Sequence, residues 1–309
     1  MTNNLTALYD SIIQEINSQD IILKKIDDSN FSTEKNELNN ILNTIFIISS
    51  SNEYSFSIDR KNYNSCEIIL FDNNNTKNKK FTIIYKKQEK SFIYNLRYNI
   101  LKSIRIIPII GPDGVGKTTL FHQIEKSIKD KIVYKRFKKI VRRSVIYNIL
   151  FPVNKIILKK QIGRKPEKDQ HDDKNAKLII LAGIIYYPYL LFMTLFQKRL
   201  IFIDRFFHDY LLEDISFMEK PTHLRKNWKI FLKFIPLTFW HIQLDAKSEI
   251  ILSRKDELSL DDINKYRELN FKLYLEKPSP LYSYINTGND IENCKNILLY
   301  TGSDIIKLF

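Results

Sequence analysis

Residues 109–121 read IIGPDGVGKTTLF. Gly111, Gly114 and Gly116 fall within six positions of a 309-residue chain that has only seven glycines and none before Gly111. Glycine concentrated in this way marks a backbone that must turn where a side chain would obstruct it. An apolar strand pattern, RIIPII, precedes the stretch, and TTLFHQIEKSIKD, which has helical spacing, follows it.

Gly111, Gly116, Lys117 and Thr118 satisfy the pattern G-x-x-x-x-G-K-[ST] between that strand and that helix. In this setting successive backbone N–H groups of Gly111, Asp113, Gly114, Val115, Gly116, Lys117, Thr118 and Thr119 turn inward around a phosphate. The lysine reaches the β/γ oxygens of a nucleoside triphosphate, the threonine hydroxyl ligates Mg²⁺, and the helix dipole adds to the same anion. Asp113 places a carboxylate inside the loop. A triphosphate repels it unless it points outward, to a metal, a water, a cation or an acceptor hydroxyl.

Two further stretches carry charge at strand ends. LIFIDRFFHDYLLED, residues 200–214, is an apolar run closing on Asp204 and Arg205, where an acid can hold Mg²⁺ through water and a guanidinium can clamp a phosphate with two parallel hydrogen bonds. Read alone, the same pair is also an ordinary surface ion pair. HIQLDAKSEIILSRKDELSLDD begins at residue 241, and its strand leads into a helix ending on Arg254 and Lys255. Those cations either close over a transferring phosphoryl group or simply complement the helix dipole.

GPDGVGKTT resembles the GxDGxGKTT loop of the thymidylate kinase family, and Asp204, Arg205 and Phe206 match its D-R-[YHF] element. The RKDELSLDD wording is similar to a subfamily that accompanies bacterial surface-polysaccharide genes, and the resemblance spans about residues 105–305. It implies an ATP- and Mg²⁺-dependent kinase in which Lys117, Asp204, Arg205 and Arg254 are catalytic and Thr118 and Asp204 serve the metal. Asp113 and Arg205 would bind the acceptor, and Lys255 would join the loop in binding nucleotide. The family follows its second strand with a carboxylate-bearing REPG-type segment, whereas this chain reads IVYKRFKKIVRRSVIYNILF, with many cations and no acid. That departure leaves two acceptors open, a nucleoside monophosphate or a sugar or glycan intermediate of surface-polysaccharide synthesis. A rival reading is a nucleotide-dependent switch or scaffold at a membrane-associated glycan assembly, binding or slowly hydrolysing nucleotide without transferring it.

Beyond residue 104, apolar strands alternate with helical segments, as in a parallel sheet wrapped by helices. Strands are expected at 105–110, 132–136, 200–204, 239–244 and 282–286, and Pro108 is awkward in the first because it removes a ladder donor. The expected fold is a three-layer α/β/α P-loop NTPase, nucleoside-monophosphate kinase-like, over 104–309. Residues 1–103 contain neither Gly nor Pro and are read as a small N-terminal α/β accessory domain. Its elements are two helices around Leu8 to Ile16 and Leu38 to Leu42, a hairpin of CEIILF and KFTIIY, and a third helix over 90–102.

Of the net charge of +14, most sits in residues 131–168, which hold thirteen Lys or Arg against one acid, Glu167. Three readings stay open: a solvated face, an anionic acceptor such as a phosphorylated glycan, or an acidic lipid surface, the last suggested by Phe137, Ile140, Val141, Val145, Ile146 and Ile149 among the cations. Specific nucleic-acid binding is not indicated, because no base-reading motif is present. The stretch 178–197, LIILAGIIYYPYLLFMTLFQ, has no charge. Its position between the glycine loop and the Asp204 strand favours a buried or interfacial helix over a membrane span. Cys66 and Cys294 lack metal-site spacing, and the N-terminus lacks a secretory pattern, so a cytoplasmic protein, peripheral to the inner face of the membrane if it docks at all, is expected. A homodimer stays open.

Overall fold

The computed structural model describes residues 3–18, 24–25, 30–33, 35–52, 54–62, 65–71, 78–85, 91–128, 132–149, 168–197, 199–212, 233–255, 259–288 and 290–306. In the N-terminal part these are α1 (Asn3–Ser18), β1 (Lys24–Lys25), β2 (Asn30–Thr33), α2 (Lys35–Ser51), β3 (Ser55–Asn62), β4 (Ser65–Phe71), β5 (Asn78–Tyr85) and α3 (Ser91–Ser103). The remainder begins with β6 (Ile106–Ile110), α4 (Lys117–Ser127), β7 (Ile132–Arg136), α5 (Phe137–Arg142), α6 (Lys168–Gln197), β8 (Leu200–Asp204) and α7 (Phe207–Leu212). It ends with β9 (Trp240–Asp245), α8 (Ser248–Arg254), α9 (Leu260–Glu276), β10 (Leu281–Asn286), α10 (Ile291–Thr301) and α11 (Ser303–Ile306).

The ten strands among the described residues belong to one sheet, ordered β1-β2-β5-β4-β3-β10-β9-β6-β8-β7. The strands from β6 onward are parallel neighbours, and numbered by chain position their order is 2-3-1-4-5. Every residue of β6, β8, β9 and β10 is buried, which explains their unbroken apolar runs: helices cover both faces. The edge strand β7 instead exposes Lys135 and Arg136, charges that discourage a further strand from pairing.

Pro108 does lie in the central strand. Ile201 and Arg205 donate their N–H groups to the carbonyls of Arg105 and Ile109, so the odd positions of β6 face β8 and Pro108 faces β9. On that side the ladder pairs only Ile109 with Ile242 and Ile110 with Gln243, beyond the proline. The missing donor therefore falls where the two strands have not yet paired.

The N-terminal hairpin forms as expected, with Cys66 opposite Ile83 and Ile68 opposite Phe81; its turn, 72–77, lies outside the described residues. The intervening β3 was not expected. It pairs antiparallel with β10, Phe56 opposite Tyr284 and Ile58 opposite Tyr282, and so joins the N-terminal strands to the parallel sheet. Ile12, Ile41, Phe46 and Phe56 share a core with Phe271 and Tyr274 of α9, and Phe46 stacks on Phe271 at 4.3 Å between ring centroids.

Helix α6 takes in the uncharged stretch 178–197. One face carries Leu178, Ile179, Ala182 and Leu190 into a core with Phe137, Phe206 and Phe207. At Gly183 an added Cβ would sit 2.5 Å from the Phe137 ring and 2.9 Å from that of Phe207, so glycine sets how closely α6 approaches α5 and α7. The opposite face is exposed at Leu181, Ile185, Tyr189, Phe192 and Phe196. The helix is thus half buried, and among the described residues no helix is long and apolar enough to cross a membrane. In the basic segment Phe137 and Val141 are core residues, whereas Val145 and Ile149 are exposed; residues 150–167 lie outside the described residues.

Candidate functional site

The loop between β6 and α4 is built around three glycines with left-handed backbone: φ is +149° at Gly111, +89° at Gly114 and +93° at Gly116. At Gly111 a Cβ would also lie 2.5 Å from the Leu244 carbonyl oxygen, so conformation and space both demand glycine. Gly116 caps α4 with no side-chain acceptor, and the first turn of α4 holds no acid, which leaves the helix N-terminus to an outside anion.

Neighbouring strands and helices pin this loop. The Thr287 hydroxyl, just past β10, is 2.5 Å from the Val115 carbonyl and 3.0 Å from that of Asp245. Gly111 N–H donates to the Tyr266 hydroxyl of α9 at 3.1 Å, and Arg254 donates to the Gly114 carbonyl at 3.2 Å. Lys117 is buried, with Nζ donating to the carbonyls of Gly111 (2.6 Å) and Pro112 (3.2 Å). Its ammonium is 3.6 Å from Asp113 and 3.8 Å from Asp204.

Asp204 closes β8 beside the loop, buried, with Oδ2 3.4 Å from Arg136 Nε. Its Oδ1 has no hydrogen-bond partner among the described residues. Arg205 follows with φ +55°, a left-handed conformation unfavourable for a long side chain, and such strain persists where the surroundings enforce it. Its guanidinium donates to Asp113, to which Lys255 also donates at 3.3 Å. Burial pushes the Asp113 carboxyl upward, but the Arg205 hydrogen bond and the charges of Arg205, Lys117 and Lys255 outweigh it and bring it down to about 2. The in-loop carboxylate is therefore ionised and turned onto three cations.

A second acid lies behind these groups. Asp209 of α7 is buried and accepts a hydrogen bond from Tyr266, forming a chain from Gly111 N–H through the phenol to the carboxylate. Its Oδ2 has no partner among the described residues. Burial pushes this carboxyl up to about 7, with Asp204 adding to the rise, against the lowering effects of Lys117, the Tyr266 hydrogen bond and Arg205.

The groups open onto a cleft of about 810 Å³ at the carboxyl ends of the parallel strands, where open α/β sheets place ligands. Six cations, Lys117, Arg136, Lys138, Arg205, Arg254 and Lys255, line it against two acids, Asp113 and Asp204. Of the residues singled out from sequence, Asp113 through Thr119, Asp204, Arg205, Arg254 and Lys255 all face this cleft. Gly111 lies beneath it, committed to Tyr266 and Lys117, and the Val115 side chain is buried in the core, so that residue offers the cleft only its backbone. Sequence reasoning did not single out Asp209, Tyr210, Tyr266, Thr287 or Ile291, and it took Arg136 and Lys138 only as members of a basic run. The one signal for Asp209 was an acid inside the apolar helical run FFHDYLL.

The fold is that of a P-loop NTPase. Strand order 2-3-1-4-5, the left-handed glycines and the capless α4 N-terminus carry that assignment. Among solved structures the chain is similar to a thymidylate kinase from Ehrlichia chaffeensis, at 14% identity over 63% of this chain and 96% of that one, with a TM-score of 0.38. No family model and no curated protein matches the sequence.

The donor set suits Mg²⁺. Among the described residues no group of three or more His, Cys, Asp or Glu could cage a metal. Mg²⁺, however, is ordinarily held by one or two protein oxygens together with nucleotide phosphates and waters. The Thr118 hydroxyl on the cleft wall and Asp204 Oδ1, which accepts no hydrogen bond among the described residues and lies 3.8 Å from the Lys117 ammonium, are such oxygens.

Proposed function

We propose that the chain is a thymidylate kinase-like phosphotransferase that moves the γ-phosphoryl group of ATP onto an acceptor already bearing a phosphate. The supporting observation is the Asp113–Arg205 contact, which turns the guanidinium of the β8 terminus toward the glycine loop in a cleft with six cations. A triphosphate on the loop would engage the backbone amides and Lys117, whose ammonium exchanges the Gly111 and Pro112 carbonyls for β/γ oxygens. Thr118 and Asp204 would hold Mg²⁺, which would supply positive charge to the phosphates.

Arg205, with Arg136 and Lys138 beside it on the wall, would hold the acceptor phosphate in line with the γ-phosphorus. An acceptor phosphate oxygen bonds to that phosphorus as its bond to the β–γ bridging oxygen breaks, and ADP leaves. A phosphate dianion is already a nucleophile, so the absence of a carboxylate in the segment after β7 is no obstacle. Arg254 and Lys255, at the end of α8, would neutralise charge on the phosphoryl group in flight. Asp113 acts in this scheme through Arg205, holding the guanidinium ready for the acceptor.

The acceptor is a nucleoside monophosphate or a phosphorylated sugar or glycan intermediate. ADP release measured with dTMP, other monophosphates and sugar phosphates separates the two. One of these should raise turnover at least tenfold above the acceptor-free rate; no stimulation by any of them would overturn the proposal in favour of a nucleotide switch.

A further inference from the structure

The cleft does not use the outer face of α6, and of the exposed cations of α5 it takes only Lys138. Leu181, Ile185, Tyr189, Phe192 and Phe196 recur at intervals of four, four, three and four, which places them on one side of the helix. At 1.5 Å per residue they form an apolar stripe about 22 Å long. Phe192 is 56% exposed and Phe196 70%, and the two rings lie 4.5 Å apart, leaving a continuous aromatic surface in water. Monomeric soluble proteins rarely present so much contiguous apolar surface without a partner.

Charge identifies that partner. Helix α5 packs on α6, Phe137 against Gly183, and exposes Lys138, Lys139, Arg142 and Arg143. Residues 131–149 contain no acid, and Arg199, exposed just past the end of α6, adds a cation at the aromatic end of the stripe. A second copy of the chain seated two-fold on this face would bring further cations to it and no acid from residues 131–149. An anionic bilayer meets both features: apolar and aromatic side chains enter the acyl boundary, and the cations meet lipid phosphates.

We propose that the exposed face of α6, flanked by the cations of α5, docks the protein onto an anionic membrane surface. Arg136 and Lys138 belong to the same basic run and line the cleft, so docking would bring the mouth of the site close to the headgroup layer.

The test is co-sedimentation of the full chain with vesicles of phosphatidylcholine alone or with about one-third phosphatidylglycerol. The chain should pellet with the anionic vesicles only, and binding should fall several-fold between about 0.1 and 0.5 M NaCl. Phe192→Ser/Phe196→Ser and Arg142→Glu/Arg143→Glu should each weaken binding at least about tenfold while ATP binding is retained. Phe192→Trp, which preserves the stripe, should show a blue-shifted emission on adding anionic vesicles. Failure to pellet, equal binding to neutral vesicles, or an unshifted tryptophan would overturn the proposal. So would a dimer in sedimentation equilibrium that Phe192→Ser/Phe196→Ser converts to a monomer, because a second copy would then cover the face.

Discussion

Replacing Asp209 with asparagine should make the fold more stable at alkaline pH, and the size of the effect follows from where the carboxyl sits. Burial and the charge of Asp204 hold it at about 7, against an ordinary 3.8. The folded state therefore binds its proton more tightly than the unfolded chain does. The resulting stability is fully present below the unfolded pKa and is lost as pH rises through about 7. At about 1.4 kcal/mol per pH unit the loss is about 3 kcal/mol between about pH 5 and pH 8. Asparagine cannot ionise, and its carbonyl can still accept the Tyr266 hydroxyl. Its amide would stand where Asp209 Oδ2 has no partner, which costs about 1 kcal/mol. Wild type has already lost about 1.7 kcal/mol between pH 3.8 and pH 5, so the variant is slightly stronger at pH 5 and about 3 kcal/mol stronger at pH 8. For a chain of this length 1 kcal/mol is about 1.5–2 °C in Tm, so the difference between variant and wild type should swing by about 5 °C across that range. Thermal unfolding of both proteins at closely spaced pH values measures it. A difference in Tm that stays constant with pH would refute the reasoning, since Asp209 would then not titrate in the fold.

Three further outcomes follow from the loop and its neighbours. Lys117→Ala should lower ATP turnover by about 100-fold or more, because the β/γ charge loses its side-chain cation; an unchanged steady-state rate would show the loop to be idle. Arg205→Ala should raise the KM for acceptor far more than it changes ATP affinity, and equal losses in both would remove the guanidinium from the acceptor side. Gly111→Ala places a Cβ 2.5 Å from the Leu244 carbonyl at a φ of +149°, so a loss of at least about 2 kcal/mol is expected in chemical denaturation; wild-type stability would mean the loop can shift aside.

The parallel sheet was readable because four of its five strands are buried on both faces and therefore appear as apolar runs between helices. Ile132–Arg136 and Leu200–Asp204 were placed to the residue, two others to within one position at one end, and 239–244 was one position early at both ends. The strand β3 was not readable. Its sequence SFSIDRKN carries only two apolar side chains, and it is held as a strand by pairing on one side with β4 and on the other with β10, more than 200 residues away. The contrast recurs at the site. Gly111, Lys117, Asp204 and Arg205 stood out because their chemistry imposes local patterns. Tyr266 and Thr287 support the loop through single hydrogen bonds made across the fold, and no local spacing encodes those. Arg136 illustrates the intermediate case: its charge was visible, but its approach to Asp204 depends on β7 pairing with β8 in the register Arg136 opposite Asp204.

The stretch 178–197 shows how composition alone can mislead. Twenty uncharged residues have the length of a membrane span, yet half of them pack on Phe137, Phe206 and Phe207 inside the α/β fold. In the docking proposed above, the side chains that face outward would rest on a lipid surface rather than pass through it.

Transfer of a phosphoryl group between two bound phosphates is tested most directly with ATP labelled at its γ-phosphorus. With a phosphorylated acceptor present, the label should appear in a new phosphoanhydride on that acceptor, in step with ADP, and should fail to do so with Lys117→Ala. Label recovered solely as inorganic phosphate, at a rate indifferent to every phosphorylated acceptor, would contradict it.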